Sequence, residues 1–372
     1  AHLPTSLSDA DAARRTLIYE ELFKFQLQMA KRTWKHKGAL PITTQYAAGD
    51  AAAEDEAADF AAGLSPLQKQ LHSSLPFELT CGQKKVIAEM NADIDRGYRE
   101  RCALTGGRRH TAPPFTMARL LQGDVGSGKT LVAFFACLRV INWKGQCALM
   151  APTEILARQH AESAAHLLGP LGVNVAFLTG NVKAAGRAAL LRQLKSGSIH
   201  ILIGTHALFS QGVVYDDLQL AVIDEQHRLG VIQRQAIIDK GRRTQEGCGI
   251  TFEPHLLMMS ATPIPQTLAL TVFGDLDVSV MRTLPSGRKP IQTYLVKEGN
   301  EHNAYAAVRK QIEAGRQAYF VYPAIDVSDA GVELKSAEEA FAHLAADVFP
   351  DFRCALVHSK ISEDEQLEIL RE

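Results

Sequence analysis

Residues 123–130 read G-D-V-G-S-G-K-T and match the pattern G-x-x-x-x-G-K-T. The residues before it, 118–121, predict a short buried strand, and the apolar residues 131–136 predict a helix. A strand, a glycine-rich loop and a helix in this order are the context of a phosphate-binding loop, or P-loop. A glycine-rich turn that happens to precede a lysine is the alternative, and the flanking elements disfavour it. The pattern predicts a nucleoside triphosphate site.

Each part of this loop has a physical role in such a site. Gly126 and Gly128 let the backbone curl, so that successive N–H groups converge on a polyphosphate at a helix N-terminus. Lys129 supplies a charge for the β- and γ-phosphates, and Thr130 supplies a hydroxyl ligand for Mg²⁺. The predicted nucleotide contacts in the loop are Gly123, Asp124, Val125, Gly126, Ser127, Gly128, Lys129 and Thr130.

Length and composition narrow the class of protein. A chain of 372 residues predicts two or three structural units. No apolar run approaches the roughly 18–20 residues of a membrane span. The six cysteines are scattered without a C-x-x-C pair, which favours a reduced, cytoplasmic protein without a structural metal. The net charge of −1 neither favours nor disfavours nucleic-acid binding, so any surface that binds nucleic acid must be confined to part of the molecule.

Short apolar runs then alternate with helical segments. Runs at 147–151, 173–178, 199–204, 220–224 and 256–260 predict buried parallel strands with crossover helices. Further runs at 291–296, 318–321 and 355–357 predict the start of a second, incomplete α/β unit. Residues 14–32 predict an amphipathic helix, and residues 96–114 predict an irregular surface loop.

Two carboxylates follow the apolar run 220–223. Asp224 at a strand end downstream of a P-loop is expected to be the outer partner of Mg²⁺, and Glu225 to orient and deprotonate the attacking water. Two adjacent acids alone would be a solvated turn. Their position at the end of a strand favours catalysis.

Several weaker candidates also flank predicted elements. Gln83 could bond an adenine edge and Phe77 could stack on the ring, yet T-x-x-Q at 80–83 is equally a capping box. Thr153 and Thr205 follow strands, where they suit nucleic-acid phosphates or simple N-capping. Ser260 follows another strand, where short hydroxyls can link the γ-phosphate site to a neighbouring interface.

In combination these segments resemble a known family. The order G-D-V-G-S-G-K-T, A-P-T-E-I-L-A, L-T-G, G-T-H-A-L, D-E-Q-H-R, S-A-T-P-I-P-Q-T-L-A and G-D-L-D-V-S-V is similar to superfamily 2 DNA translocases. Within them it resembles the RecG family of branched-DNA helicases. The nearest competitor is the transcription–repair coupling type of translocase, which shares this motor.

The resemblance implies a RecA-like P-loop lobe with a parallel sheet, preceded by a helical segment and followed by a partial second RecA-like lobe. The implied boundaries are 1–74 for a helical linker with an Ala/acid-rich spacer, 75–287 for the ATP-binding lobe, and 288–372 for the partial lobe. It also implies an ATP-driven, Mg²⁺-dependent DNA helicase acting on forks and Holliday junctions in recombination and repair. Such a protein is expected to be a monomer without membrane association, in the bacterial cytoplasm at the nucleoid.

Residue roles follow from the same resemblance. It favours Phe77 and Gln83 as adenine contacts. It implies that His227 is catalytic together with Lys129, Asp224 and Glu225. It places Thr153, Glu154, Thr205 and His206 on the DNA side. It also implies that Gln226, Ser260 and Thr262 couple the ATP site to the DNA site.

Three departures modify this expectation. Gln266 and Leu229 stand where the family usually has Arg and Phe. Nothing in the sequence matches the wedge domain that precedes the motor, or the arginine finger and later motifs that follow it. The chain is therefore expected to be a motor fragment that binds ATP, hydrolyses it weakly and does not unwind DNA. The alternative is a nucleotide-dependent DNA-binding or regulatory module without motor activity. A P-loop kinase or transporter does not fit D-E-Q-H-R.

Overall fold

The computed structural model describes residues 14–24, 27–28, 31, 60–105, 114–180, 184–225, 231–244, 251–261, 276–283, 291–322, 337–358, 361, 365–366 and 368–369. The chain divides into two compact units, Ala1–Arg288 and Lys289–Glu372. Residues 14–24 are helical, as the apolar spacing predicts. None of the helices in these described stretches is both long enough and apolar enough to cross a bilayer.

The first unit alternates helices with short strands. The helices are α1 (Pro66–Ser74), α2 (Cys81–Thr105), α3 (Lys129–Asn142), α4 (Glu154–Leu168), α5 (Ala184–Lys195) and α6 (Val231–Gly241). The strands are β1 (Ala118–Gly123), β2 (Gln146–Met150), β3 (Val175–Leu178), β4 (Ile201–Gly204), β5 (Leu218–Ile223), β6 (Arg243–Thr244), β7 (Thr251–Phe252), β8 (His255–Ser260) and β9 (Asp277–Met281). Short 3₁₀ turns occupy Gly169–Leu171 and His206–Phe209.

Seven of these strands form one parallel sheet in the order β3-β4-β2-β5-β8-β1-β9. Each predicted strand of the first unit is present, with end points shifted by a few residues. The predicted α/β fold with a parallel sheet is thereby confirmed. Strand β9 has no counterpart among the predicted strands, because its run of five residues carries Asp277 and Ser279 among its apolar positions.

Apolar side chains cover both faces of this sheet. Leu121, Leu149 and Val222 point to one face, where they pack with α1, α2, α3 and α4. Their sequence neighbours on the same strands point to the opposite face with Leu194 of α5 and Ile237 of α6. A parallel sheet buried on both faces requires strands that are apolar at nearly every position. This explains why the strand sequences are continuous apolar runs.

The predicted loop at 96–114 is wrong in its first half, because α2 continues to Thr105. Gly97 is buried inside this helix, and a Cβ there would lie 2.4 Å from the imidazole of His255. The Tyr98 ring stacks on Trp143 with ring centroids 4.1 Å apart. Tertiary packing therefore holds a helix through a glycine that local sequence rules treat as a breaker.

The second unit contains α7 (Glu301–Glu313), α8 (Ala337–His343) and a π-helical turn, Leu344–Val348. Phe349 is buried against the rings of Tyr305, Phe320 and Phe352. The strand predictions at 291–296, 318–321 and 355–357 are wrong, since these residues form no strand. Large apolar side chains in the first two segments are exposed instead of covered on two faces.

Candidate functional site

The loop of residues 123–130 joins the end of β1 to the start of α3. Gly126 and Gly128 have φ angles of 77° and 86°, in the left-handed region that glycine adopts without strain. The backbone N–H of Ser127 donates to the Asp124 carbonyl over 3.1 Å and closes the turn. Gly128 is the N-cap of α3 and has no side chain to cap it. The curled loop therefore directs a helix N-terminus toward its own interior, as anion binding requires.

Lys129 lies across this loop. Its Nζ donates to the carbonyls of Gly123 at 2.8 Å and Asp124 at 3.0 Å. Desolvation lowers the pKa of Lys129, while the charges of Asp224, Glu225 and Asp124 oppose that shift. The ammonium group thus sits within electrostatic reach of both carboxylates from the acidic motif.

Asp224 and Glu225 come directly after β5. The backbone N–H of Asp224 donates to the Met150 carbonyl of β2 over 2.8 Å, which fixes the start of the turn. Glu225 has a φ of 52°, an uncommon value for a residue other than glycine. Its N–H donates to Asp224 Oδ1 over 3.0 Å. Strain of this kind occurs at sites where the surrounding structure holds a side chain in place.

A residue that the sequence analysis did not single out completes this arrangement. His160 Nε2 lies 2.8 Å from Asp224 Oδ2, and each side chain is only 12% exposed. In the sequence His160 is one of two histidines in a helical segment, 64 residues from Asp224. Such a pattern gives no indication of a contact at that separation.

Gln83 is 2% exposed and contacts both its own helix terminus and the P-loop. Thr80 N donates to Gln83 Oε1 at 2.9 Å, and Gln83 N donates to Thr80 Oγ1 at 3.2 Å, which is the predicted capping box. Gln83 Nε2 also donates to the Ser127 carbonyl over 2.9 Å. The amide therefore couples the start of α2 to the loop. Phe77 lies nearby in sequence and is 52% exposed, as a ring that stacks on a base must be.

The predicted DNA-side residues lie at the carboxyl edge of the sheet. Thr153 is the N-cap of α4, and its Oγ1 accepts from Leu156 N over 3.3 Å. Glu154 Oε1 accepts from Arg158 NH2 and from Thr179 Oγ1, each at 3.3 Å. Thr205 is buried and precedes the 3₁₀ turn, where His206 is exposed.

The sheet register brings these positions to one edge. Met150 at the end of β2 pairs with Gly204 of β4 and with Ile223 of β5. The segments that carry Thr153, Thr205 and Asp224 therefore leave the sheet side by side, as ligand sites in parallel sheets do. Ser260, buried at the end of β8, pairs with Gln122 of β1 just before the P-loop. Other predicted positions lie outside the described residues: Gln226, His227, Leu229, Thr262 and Gln266.

The chemistry of the donor set suits Mg²⁺. The hydroxyl of Thr130 and the carboxylate of Asp224 offer oxygen atoms, which this cation prefers over nitrogen or sulfur. Mg²⁺ commonly takes one or two protein oxygens and completes its shell with phosphate and water. These two residues would hold the ion.

Comparisons with known proteins agree with this geometry. A family model described as DEAD/DEAH box helicase matches residues 108–271. The chain is 48% identical over 371 residues to the ATP-dependent DNA helicase RecG of Treponema pallidum, covering 100% of this chain and 50% of that protein. It is 39% identical over 373 residues to RecG of Bacillus subtilis, covering 100% of this chain and 48% of the relative.

Solved structures show the same relation. A RecG bound to a three-way DNA junction matches 99% of this chain and 42% of its own length, at 32% identity and a TM-score of 0.68. MrfA, a DUF1998 helicase bound to DNA, matches 83% of this chain and 42% of its own at 17% identity and a TM-score of 0.52, which shows the fold alone. The chain spans about half the length of the curated relatives that it matches. The resemblance first seen in the motifs extends over the whole chain, which is similar along its full length to about half of a RecG helicase.

Proposed function

We propose that this chain forms the ATP-binding motor lobe of a DNA helicase that acts on branched DNA. The observation that carries the proposal is the position of Lys129. Its ammonium group is held by two P-loop carbonyls; burial lowers the pKa of Lys129, and Asp224 and Glu225 are close enough for their charges to oppose that shift. A cation, a curled glycine loop and two strand-end carboxylates are the parts that phosphoryl transfer requires.

The nucleotide would replace contacts that the loop now makes with itself. Phosphate oxygens would take the place of the Gly123 and Asp124 carbonyls at Lys129 Nζ. Mg²⁺ held by Thr130 and Asp224 would neutralise charge between the β- and γ-phosphates. Glu225, displaced from the strand direction by its left-handed backbone, would orient the attacking water and accept its proton. Gln83 would bond the adenine edge and would connect it to the loop through its hydrogen bond to the Ser127 carbonyl, and Phe77 would stack on the base.

DNA would cross the edge where Thr153 and Thr205 follow β2 and β4. The N-terminus of α4 suits a phosphate group, and such contacts position a strand without reading its sequence. Glu154 would act by orienting Arg158 and Thr179, with which it already bonds. His206 would supply an exposed side chain at the same edge. The RecG relative bound to a three-way junction supports branched DNA as the substrate class.

The remaining parts of the proposal concern the location of the protein in the cell and its rate of ATP hydrolysis. We place the protein as a monomer in the bacterial cytoplasm, working with DNA of the nucleoid on forks and Holliday junctions. Coupling between ATP and DNA would pass through Gln226, His227, Ser260 and Thr262. Slow hydrolysis by this chain alone stays a prediction that the second assay below measures, and the absence of unwinding stays a prediction.

The first test is binding of a fluorescent ATP analogue to the wild type, Lys129→Ala and Lys195→Ala. Lys195 is an exposed lysine at the end of α5, so its variant controls for loss of one positive charge. We expect Lys129→Ala to weaken binding at least about tenfold, which corresponds to about 1.4 kcal/mol. Equal affinity in all three proteins would contradict the assignment of the loop.

The second test separates a motor from a regulatory module. Hydrolysis is measured with forked DNA, with linear duplex of equal length and without DNA, in the wild type and in Glu225→Gln. A motor predicts turnover that forked DNA stimulates and that Glu225→Gln abolishes while nucleotide still binds. Turnover that does not depend on DNA and persists in Glu225→Gln would favour the regulatory module.

A further inference from the structure

Helix α4 contributes to both the proposed DNA site and the proposed nucleotide site of the first unit. Its N-cap, Thr153, lies at the sheet edge proposed to face DNA, and His160 lies about two turns further along. There His160 Nε2 is 2.8 Å from Asp224 Oδ2, and both side chains are 12% exposed. One side-chain contact thus connects this helix to the carboxylate proposed to hold Mg²⁺.

The direction of the hydrogen bond follows from the chemistry of the groups. An ionised carboxylate only accepts, so His160 Nε2 must carry the hydrogen when Asp224 is charged. Asp224 Oδ1 accepts from the backbone N–H of Glu225 at 3.0 Å. Each carboxylate oxygen therefore has a donor, and the Asp224 side chain is held in one orientation. A histidine that fixes a metal-binding carboxylate is a known type of outer contact, and ligating carboxylates are commonly hydrogen-bonded in this way.

Helix α4 is itself well anchored. Ala157, Ala164 and Leu168 are buried on its inner face, where the helix packs on β3 and β4. Glu154 in its first turn accepts from Thr179, which follows β3. Because the helix is fixed at several points along its length, a shift at its N-terminus would reach His160 as a movement of the whole element.

We propose that His160 is a positioning residue for Asp224, which it holds in the orientation that Mg²⁺–nucleotide binding requires, and that it connects this site to helix α4. The proposal rests on the proposed function, since it assumes that Asp224 serves Mg²⁺ and ATP. His160 acts through Asp224 and does not itself touch the nucleotide.

The test is a Mg²⁺ titration of binding of a fluorescent ATP analogue to this chain. Four variants are compared with the wild type: His160→Ala, which removes the donor; His160→Gln, whose amide Nε2 can still donate; Asp224→Asn; and the double variant His160→Ala/Asp224→Asn. His166→Ala is the matched control, because His166 is an exposed histidine in the last turn of the same helix. Affinity in EDTA and thermal unfolding are recorded for every protein.

We expect His160→Ala to raise the Mg²⁺ midpoint about tenfold, the lower end of the range for lost outer contacts. Affinity in EDTA should stay at the wild-type value. His160→Gln should stay within about threefold of the wild type, and His166→Ala should not change the midpoint. In the Asp224→Asn background, the added His160→Ala change should have no further effect, since the carboxylate that His160 positions is gone. If His160→Ala does not fold, His160→Asn, which is polar but too short to reach Asp224, takes its place.

Two results would overturn the inference alone: a His160→Ala midpoint equal to that of His166→Ala, or the same tenfold rise in the Asp224→Asn background. A wild-type chain that binds the nucleotide without any dependence on Mg²⁺ would overturn the proposed function as well, so the two failures are distinguishable.

Discussion

Apolar runs of similar composition have opposite environments in the two units. In the first unit, residues 218–223 form β5, and nearly every side chain is buried between β2 and β8. In the second unit, residues 291–296 form no strand, and Leu295 is 97% exposed. Both segments are six-residue, mostly apolar runs, L-Q-L-A-V-I and I-Q-T-Y-L-V, of the kind that predicts a strand.

The difference lies in the neighbours that each run has. A parallel strand needs a hydrogen-bonding partner along its edges and a helix over each face. In the first unit six strands and helices on both sides supply these contacts for β5 and its neighbours. In the second unit the buried cluster around Phe349 is built from aromatic rings beside helices. A run of apolar residues therefore specifies a strand only where a sheet exists to receive it.

Leu149→Ala gives the largest expected effect. Leu149 lies in β2, is fully buried and packs in the cluster beneath α3. Truncation should lower the free energy of unfolding of the first unit by about 3 kcal/mol, from lost transfer energy and the cavity left behind. Urea unfolding followed by the fluorescence of Trp143 measures it, since the Trp143 ring stacks on Tyr98 inside this unit. A loss below about 1 kcal/mol would mean that the sheet around Leu149 is not tightly packed, and the contrast between the two units would then be weaker.

His255 tests burial in the first unit through pH. It is 2% exposed, and its Nδ1 accepts from Met117 N over 3.0 Å. Burial, helped by the charge of Arg101, lowers the pKa of His255 to about 3. Below pH 6.5 the unfolded chain binds a proton that the folded chain does not, so stability is full above pH 6.5 and falls as pH decreases toward 3.

Between pH 7 and pH 5 this loss should be about 2 kcal/mol, from about 1.4 kcal/mol for each pH unit below 6.5. Other groups also contribute to the pH dependence, among them His200, whose pKa burial lowers, so the wild type is compared with His255→Asn. Asparagine carries Oδ1 where histidine carries Nδ1, so it can still accept from Met117 N, and it does not titrate. Equal pH dependence in the two proteins, measured by urea unfolding at both pH values, would argue against a buried neutral His255.

The sequence was sufficient to predict those features that a short local pattern determines. The P-loop needs left-handed glycines at fixed spacing, so Gly126 and Gly128 could be recognised from letters alone. Asp224 could be placed because a strand-end carboxylate follows an apolar run. The seven-stranded parallel sheet followed from alternating strands and helices, apart from β9, where polar residues interrupt the apolar run.

The parts that the sequence could not predict depend on contacts between distant residues. Gly97 reads as a helix breaker until His255 is seen to occupy the space where its Cβ would be. His160 meets Asp224 only because α4 packs along the sheet. Gln83 could be assigned either to a capping box or to the nucleotide site, and in the structure its amide bonds both Thr80 and the loop. Local pattern rules assign such a residue to one partner, whereas its amide oxygen bonds the helix terminus and its amide nitrogen bonds the loop.

Leu295→Ala gives the smallest expected effect and completes the comparison with Leu149. The substitution is chemically identical, but Leu295 is 97% exposed, so truncation removes almost no buried surface. We expect a change in unfolding free energy within about 0.5 kcal/mol, as for surface positions in general. Far-UV circular dichroism during urea unfolding is the suitable probe, since it reports helices of both units, whereas tryptophan fluorescence reports only the first. A loss of 2 kcal/mol or more would mean that Leu295 is covered in solution, and the contrast between the two units would then fail at the residue that shows it most clearly.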